Sequence, residues 1–421
     1  MAVAEQTAEA APDRTLSPGW GAVFFAICAA TYIVNAADRM IFPALLRPLD
    51  ADYGLSLPQG SFLATIYLIG LGTGGIGTGY LLDRISRKSS MVAGIVVYSV
   101  FTVLTVRALG FADMALYRIA TGIGEAMQSV ALIIAVCAFY PGSRAFANGV
   151  VQCALGFGQF IGPRLGALLL AQTGNWRVPF YGFGALGLAG AAALLLVSPA
   201  FTERKVDNSL SSANDTHLPE QLWNRNVICV LTAIVFRSFA FFAFFGLYAT
   251  FLMTELRFPL ATAAAALSMF GVGPLFSPLA GYVADRVNQK LFQILCLAVM
   301  VVAGFLIFNV AQTPLSQEVL SLIEGIAGGF AYINGYSLAQ RSVKNAMIGR
   351  VSGFYYAAST LPAAISGFLF AKLVEAIGWQ SGASLMMSAL LLIPIGISLF
   401  IDTRLVSGRA RRLSPGRRVF V

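Results

Sequence analysis

Asp38 and Arg39 stand side by side in the apolar run Ala36-Ala37-Asp38-Arg39-Met40, and Arg118, Glu125, Arg164, Arg237 and Glu324 recur inside later apolar runs. Burying one such charge near a bilayer midplane costs roughly 2.5–3.5 kcal/mol on insertion scales. Charges placed there usually line a path for something polar, which makes transport the leading function class. A carboxylate in a poorly solvated cavity favours its protonated form, while a nearby guanidinium favours ionisation. Moving the arginine, or setting an anion beside it, changes that balance and gives a physical route for coupling protons to a substrate. The alternative is a set of static ion pairs, Asp38 with Arg118 or Glu125 with Arg39, that hold helices together.

Other residues extend this set. Arg118 precedes Glu125 by seven residues, two helical turns on one face. Glu125 lies about 18 Å into its helix from Asp113 at 1.5 Å per residue, close to a bilayer midplane. Arg39, Arg118 and Arg237 are candidates for holding an anionic substrate, since a guanidinium pairs with a carboxylate through two parallel hydrogen bonds. Asp38, Glu125 and Glu324 are candidates for carrying the proton, with a static Arg237–Glu324 pair as the competing reading. Tyr332, Tyr336, Tyr355 and Tyr356 offer hydroxyls to a substrate or serve helix packing. Phe236, Phe239, Phe241, Phe242, Phe244, Phe245 and Phe251 surround their helix without forming one stripe, so most must face lipid or neighbouring helices.

The elements that must position these residues are membrane helices. The chain of 421 residues has a mean hydropathy of +0.76, is 57% hydrophobic and only 11% charged, which excludes an ordinary soluble or disordered protein. A span needs about 20 mostly apolar residues. Twelve are expected, at 20–48, 60–82, 89–109, 113–140, 145–172, 177–199, 226–255, 259–284, 290–312, 316–341, 346–376 and 380–402. The apolar runs are continuous and do not alternate, against a β-barrel. The first residues lack a basic start to an apolar core, so no signal peptide is expected and the first span serves for targeting.

The net charge of +9 does not point to nucleic acid, because of where the charges lie. With twelve spans, 19 of the 28 basic residues fall on the side of the termini and 5 on the other, at Arg47, Arg107, Arg177, Arg257 and Lys372. That asymmetry puts both tails in the cytoplasm of an inner-membrane protein. Arg409, Arg411, Arg412, Arg417 and Arg418 then read as an anchor touching anionic lipid. Cys28, Cys137, Cys153, Cys229 and Cys296 show no C-x-x-C spacing, and His217 is the only histidine. No metal site, disulfide framework or cofactor is expected.

A polar stretch, Phe201 to Asn224, divides the chain. The expected organisation is a tail at 1–19, a six-helix bundle at 20–200, a cytoplasmic linker at 201–225, a second bundle at 226–402 and a basic tail at 403–421. The halves repeat: Gly79-Tyr80-Leu81-Leu82-Asp83-Arg84 recurs as Gly281-Tyr282-Val283-Ala284-Asp285-Arg286, 202 residues on, and Trp176 recurs as Trp379, 203 on. Duplicated helical units of this kind are a known transporter layout.

The segment Gly79 to Lys88 resembles the loop signature G-x-x-x-D-R-x-x-R-(R/K) of the major facilitator superfamily. Gly281 to Lys290 matches it except at Asn288 and Gln289, and Pro141-Gly142-Ser143-Arg144 resembles the P-x-x-R loop. The likeness runs from the first span to the last. Asp38-Arg39 and Gly122-Ile123-Gly124-Glu125-Ala126 are most similar to the spinster-like and anion:cation symporter branches. That resemblance implies proton coupling through Asp38 and Glu125. It also implies gating through Asp83, Arg84, Arg87, Asp285 and Arg286, whose contacts would exist in only one packing of the halves. The competing reading of these basic residues is that they are merely topology anchors. Gly149, Gly158, Gly162, Pro163 and Gly166 resemble an antiporter motif that tilts toward export, with Ala167 and Arg164 departing from it.

The leading expectation is a proton-coupled symporter of a small organic anion, a carboxylate, working as a monomer in the lipid bilayer by alternating access. A proton-coupled exporter of amphipathic compounds or lipids is the first alternative. A non-transporting membrane sensor on the same fold is the second. An enzyme is not expected, since it would need a nucleophile with a base or a ligand cluster, and the absence of a G-x-x-x-x-G-K motif argues against direct ATP drive.

Overall fold

The computed structural model describes residues 18–82, 84–139, 144–196, 219, 221–284, 286–344 and 347–406. The described helices are α1 (Pro18–Ala44), α2 (Leu46–Tyr53), α3 (Leu57–Thr65), α4 (Tyr67–Leu81), α5 (Arg87–Thr105), α6 (Phe111–Phe139), α7 (Arg144–Thr173) and α8 (Arg177–Leu196). After the linker follow α9 (Arg225–Thr254), α10 (Leu260–Phe270), α11 (Ser277–Ala284), α12 (Gln289–Asn309), α13 (Pro314–Arg341), α14 (Ile348–Thr360), α15 (Ser366–Ala383) and α16 (Leu390–Leu399). Local chemistry starts several of them. Ser86 and Asn224 accept from Ser89 N and Val227 N, and Thr313 with Ser316 forms a capping box ahead of Pro314. Gly54, at φ +63°, ends α2 in the left-handed region.

Ten described stretches are long and apolar enough to cross a membrane. Two features of the described chain bear on the twelve expected from the sequence. The helix α13 is 28 residues long but carries Gln317, Glu318, Glu324 and Asn334, which lower its hydropathy. The other is a merger: Arg350–Leu399 counts as one stretch of 50 residues. At 1.5 Å per residue that is about 75 Å, far beyond a hydrocarbon core of about 30 Å. The chain turns back at Gly378, whose φ of 81° and ψ of 169° interrupt α15.

Close crossings hold the helices, and they repeat. The backbones of α4 and α6 touch where Gly70 faces Ile119 O and Gly122 faces Tyr67 O. Gly273 and Gly325, each 203 positions after its counterpart, make the same reciprocal crossing, with Gly325 facing Phe270 O. A Cβ at any of these positions would displace backbone, as small residues at membrane helix crossings allow. Gly124 packs in turn on Tyr98 N of α5, so closely that a Cβ there would displace backbone, and α6 is gripped from two sides around Glu125.

The buried apolar clusters differ between the two faces. One is shared by both halves from the middle to the face away from the termini, joining Met40, Leu45, Leu63 and Trp176 to Phe244, Phe251, Phe370 and Trp379. Toward the terminal face each half has its own, around Phe24, Tyr98 and Leu194 in the first and Val227, Val351 and Ile401 in the second. At the far face Thr65 Oγ1 donates to Ala364 O at 2.7 Å, and Gly367 lies on Ser61 O.

Candidate functional site

The charges of the first half meet between α1, α5 and α6. Arg39 Nε donates to Glu125 Oε2 at 2.9 Å, with the Arg39 side chain 11% exposed and that of Glu125 fully buried. Of the two static pairs expected from the sequence, this one forms. Asp38 and Arg118 make no ion pair among the described residues. Asp38 Oδ2 instead accepts from Thr102 Oγ1 at 2.6 Å, and its Oδ1 has no hydrogen-bond partner. Arg118 Nε donates to Leu63 O at 3.2 Å, beside the interruption at Ile66 between α3 and α4. The Arg118 guanidinium lies 4.4 Å from the Phe42 ring centroid and 5.0 Å from that of Tyr67. Rings around a desolvated guanidinium replace part of its lost hydration.

A buried polar chain that sequence reading missed runs behind Arg39. Its Nη2 donates to Asn35 Oδ1 at 3.2 Å, Asn35 Nδ2 to Gln128 Oε1 at 2.9 Å, and Gln128 Nε2 to Thr31 Oγ1 at 3.1 Å. Thr31, Asn35 and Arg39 stand four apart on one face of α1, and Gln128 is one turn beyond Glu125 on α6. That spacing was the available signal. Uncharged polar residues draw less notice than charges in an apolar run.

In the second half Arg237 and Glu324 are both buried but form no ion pair among the described residues. Arg237 Nη2 donates to Gly328 O, and its guanidinium lies 4.2 Å from the Phe241 centroid and 5.6 Å from that of Tyr332. Glu324 Oε2 has no partner. Tyr355 is fully buried and donates its hydroxyl to Tyr332 O at 2.8 Å, while the Tyr332 and Tyr336 rings each stand 5.4 Å from its own. Tyr356 of α14 packs against Gly75 and the cluster of Tyr67, Leu68, Leu71 and Ala126, and the Arg39 guanidinium lies 5.9 Å from the Tyr67 centroid, so the second half meets the first beside this site. Arg237 is not brought to Arg39 by any described contact. Arg164 lies over Phe160 at 4.3 Å with Nη1 unpartnered. Of the phenylalanines in α9, Phe244, Phe245 and Phe251 are buried among neighbouring helices.

The loop-signature acids Asp83 and Asp285 lie outside the described residues, as do Pro141 to Ser143, His217 and the tail arginines. Arg84 is exposed, Arg87 opens α5, and Arg286 lies over Tyr282 at 3.4 Å. The basic end of the motif has a visible task in both halves. Lys88 Nζ donates to Leu195 O at 3.1 Å at the end of α8, and Lys290 Nζ to Leu399 O at the end of α16. The substitutions at Asn288 and Gln289 leave that contact intact. Asn288 caps α12 by accepting from Lys290 N at 3.1 Å.

Comparison with known proteins adds an independent line. The sequence profile of the Major Facilitator Superfamily matches residues 28–367. The MFS-type transporter YceJ of Bacillus subtilis (strain 168) is 25% identical over 348 residues, covering 80% of this chain and 86% of that one. The hexuronate transporter of the same organism is 23% identical over 382 residues, covering 85% and 89%. A solved bacterial homolog of the human lysosomal transporter Spinster, inward-facing and unoccupied, superposes with a TM-score of 0.73 at 15% identity. That superposition covers 93% of this chain and 98% of the other.

Proposed function

This chain belongs to the Major Facilitator Superfamily, and we propose that it is a proton-coupled symporter of a small organic anion, a carboxylate. Twelve spans form two six-helix bundles at 20–200 and 226–402, α13 supplying one and the turn at Gly378 separating two more. The terminal face is cytoplasmic, by the excess of basic residues on that side. The observation that carries the reading is the Arg39–Glu125 ion pair, buried deep in the apolar part of the molecule.

An incoming carboxylate competes with Glu125 for Arg39. Once displaced, Glu125 loses its ion-pair partner in a poorly solvated place and takes a proton, so anion and proton travel together. Asp38, with one oxygen held by Thr102 and the other unmet, is the second proton carrier. Arg118 sets the local positive field, and Arg237 with Glu324 supplies a further anion contact and acid from the second bundle. Tyr332, Tyr336 and Tyr355 line that side, with Tyr355 acting through its support of Tyr332. The gate is the loop signature, Asp83, Arg84 and Arg87 with Asp285 and Arg286, together with the shared core at the far face. A hexuronate is a sugar carboxylate, so the named relative supports the cargo class.

The test is proton movement into proteoliposomes holding a trapped pH dye, with mono-, di- and aromatic carboxylates added in turn. One acid should give a signal that is lost in Asp38→Asn and Glu125→Gln. Silence across the panel with correctly inserted protein, or an unchanged signal in both variants, would overturn the reading.

A further inference from the structure

Arg39 has two side-chain partners, and only one of them is an ion pair. Beside Glu125, the chain from Arg39 through Asn35, Gln128 and Thr31 ends where Thr31 Oγ1 donates to Cys28 O at 2.9 Å. Donation runs one way throughout. A guanidinium can only donate and a backbone carbonyl can only accept. The two ends therefore fix both amides, turning the Asn35 oxygen toward Arg39 and the Gln128 oxygen toward Asn35. Asn35, Gln128 and Thr31 are 0%, 1% and 4% exposed, so water does not compete for these bonds.

A second contrast separates this chain from ordinary packing. All polar side-chain atoms of Thr31, Asn35 and Gln128 have partners, whereas Glu125 Oε1, Asp38 Oδ1 and Arg118 Nη2 are buried without one. The support is satisfied and the atoms facing the exchange of partners are not. A buried polar network that is fully satisfied is rigid and specifies one arrangement.

We propose that Thr31, Asn35 and Gln128 are positioning residues that hold the Arg39 guanidinium in one orientation, so that Glu125 and the substrate anion compete for the same guanidinium edge. The inference rests on the exchange of partners at Arg39 set out above. Without the chain Arg39 swings, both anions are held loosely, and proton and substrate movements come apart.

The test uses the full-length protein with D-glucuronate as the probe. Thr31→Val removes the hydroxyl at nearly constant shape, and Gln128→Leu removes the amide. In proteoliposomes both variants should lower pH-driven accumulation about tenfold and lower probe exchange distinctly less. Thr31→Ser, which keeps the hydroxyl, should restore accumulation. A second measurement needs no substrate: proton binding by the purified protein, with Glu125→Gln as the reference that isolates the Glu125 proton. Its midpoint should move by about 0.4–1 pH unit in Thr31→Val and Gln128→Leu, the equivalent of one hydrogen bond, and stay put in Thr31→Ser. If the wild type does not move the probe, that cargo fails and the titration decides the positioning role alone. Wild-type behaviour of both variants overturns the proposal, as does equal loss of accumulation and exchange with an unmoved titration.

Discussion

At the residue scale, the Arg39–Glu125 pair illustrates how burial changes the value of an ion pair. Removing one partner from a buried pair leaves an uncompensated charge and costs about 3–5 kcal/mol, whereas replacing both with apolar residues is often neutral. Thermal unfolding in detergent should therefore rank Arg39→Met and Glu125→Leu as the least stable, with the double variant close to the wild type. A double variant as unstable as the sum of the singles would mean the pair is not the contact that matters. Outside the membrane spans, Asp50 sits against Gly60 with Oδ1 unpartnered, and burial pushes its carboxyl up to about 7, opposed by Arg47. A carboxyl raised above its unfolded value near 4 stabilises the fold as the neutral acid. That contribution is full below about pH 4 and is lost as the pH rises to about 7. The unfolding midpoint of the wild type should fall across this window relative to Asp50→Asn, and the difference should be flat above it. Parallel profiles would rule out the assignment.

At the element scale, small residues and caps do more than the motifs suggest. Gly158 and Gly162, read from sequence as part of an export-type motif, pack α7 onto Ile33, Ala36 and Ala37 of α1. They press on the stretch that carries Asn35, Asp38 and Arg39, so their immediate role is to seat the site. The lysines of the two loop signatures close each half on itself. A cation at a helix C-terminus contributes about 0.3–1 kcal/mol, so Lys88→Met and Lys290→Met should each lower stability by about that amount. Because the contacts lie in different halves, the two losses should add. Chemical unfolding of the singles and the double variant checks this, and a strongly non-additive pair would contradict it. The repeat legible at Gly79 and Gly281 in the sequence thus returns as two lysine contacts and two glycine crossings.

At the scale of the whole molecule, the shared core closes the far face while the terminal face keeps two separate cores. The halves meet at Thr65, Ser61, Ala364 and Gly367, where a Cβ on Gly367 would run into Ser61 O. Gly367→Val should push that contact apart. Spin labels across the far face should report longer distances, and transport should fall about tenfold, roughly the loss expected of a small misplacement. Unchanged distances would show that closure does not depend on this contact.

The amino-acid sequence alone determined the membrane character, the charges inside apolar runs at Asp38-Arg39 and Glu125, and the duplication. Each is a one-dimensional property: apolar run length, a charge inside such a run, or two similar segments at one offset. It left open which acid meets which base. The sequence offered Asp38 with Arg118 and Glu125 with Arg39, and only the facing of α1 against α6 in the tertiary structure brings the second of these pairs together. The same holds for Arg237 and Glu324, opposite charges whose side chains settle on separate surroundings. Asn35 and Gln128 came into view only with the tertiary structure. An amide becomes a support by what it faces across a helix interface, and that facing is set by rotation of one helix against another, which no local pattern encodes.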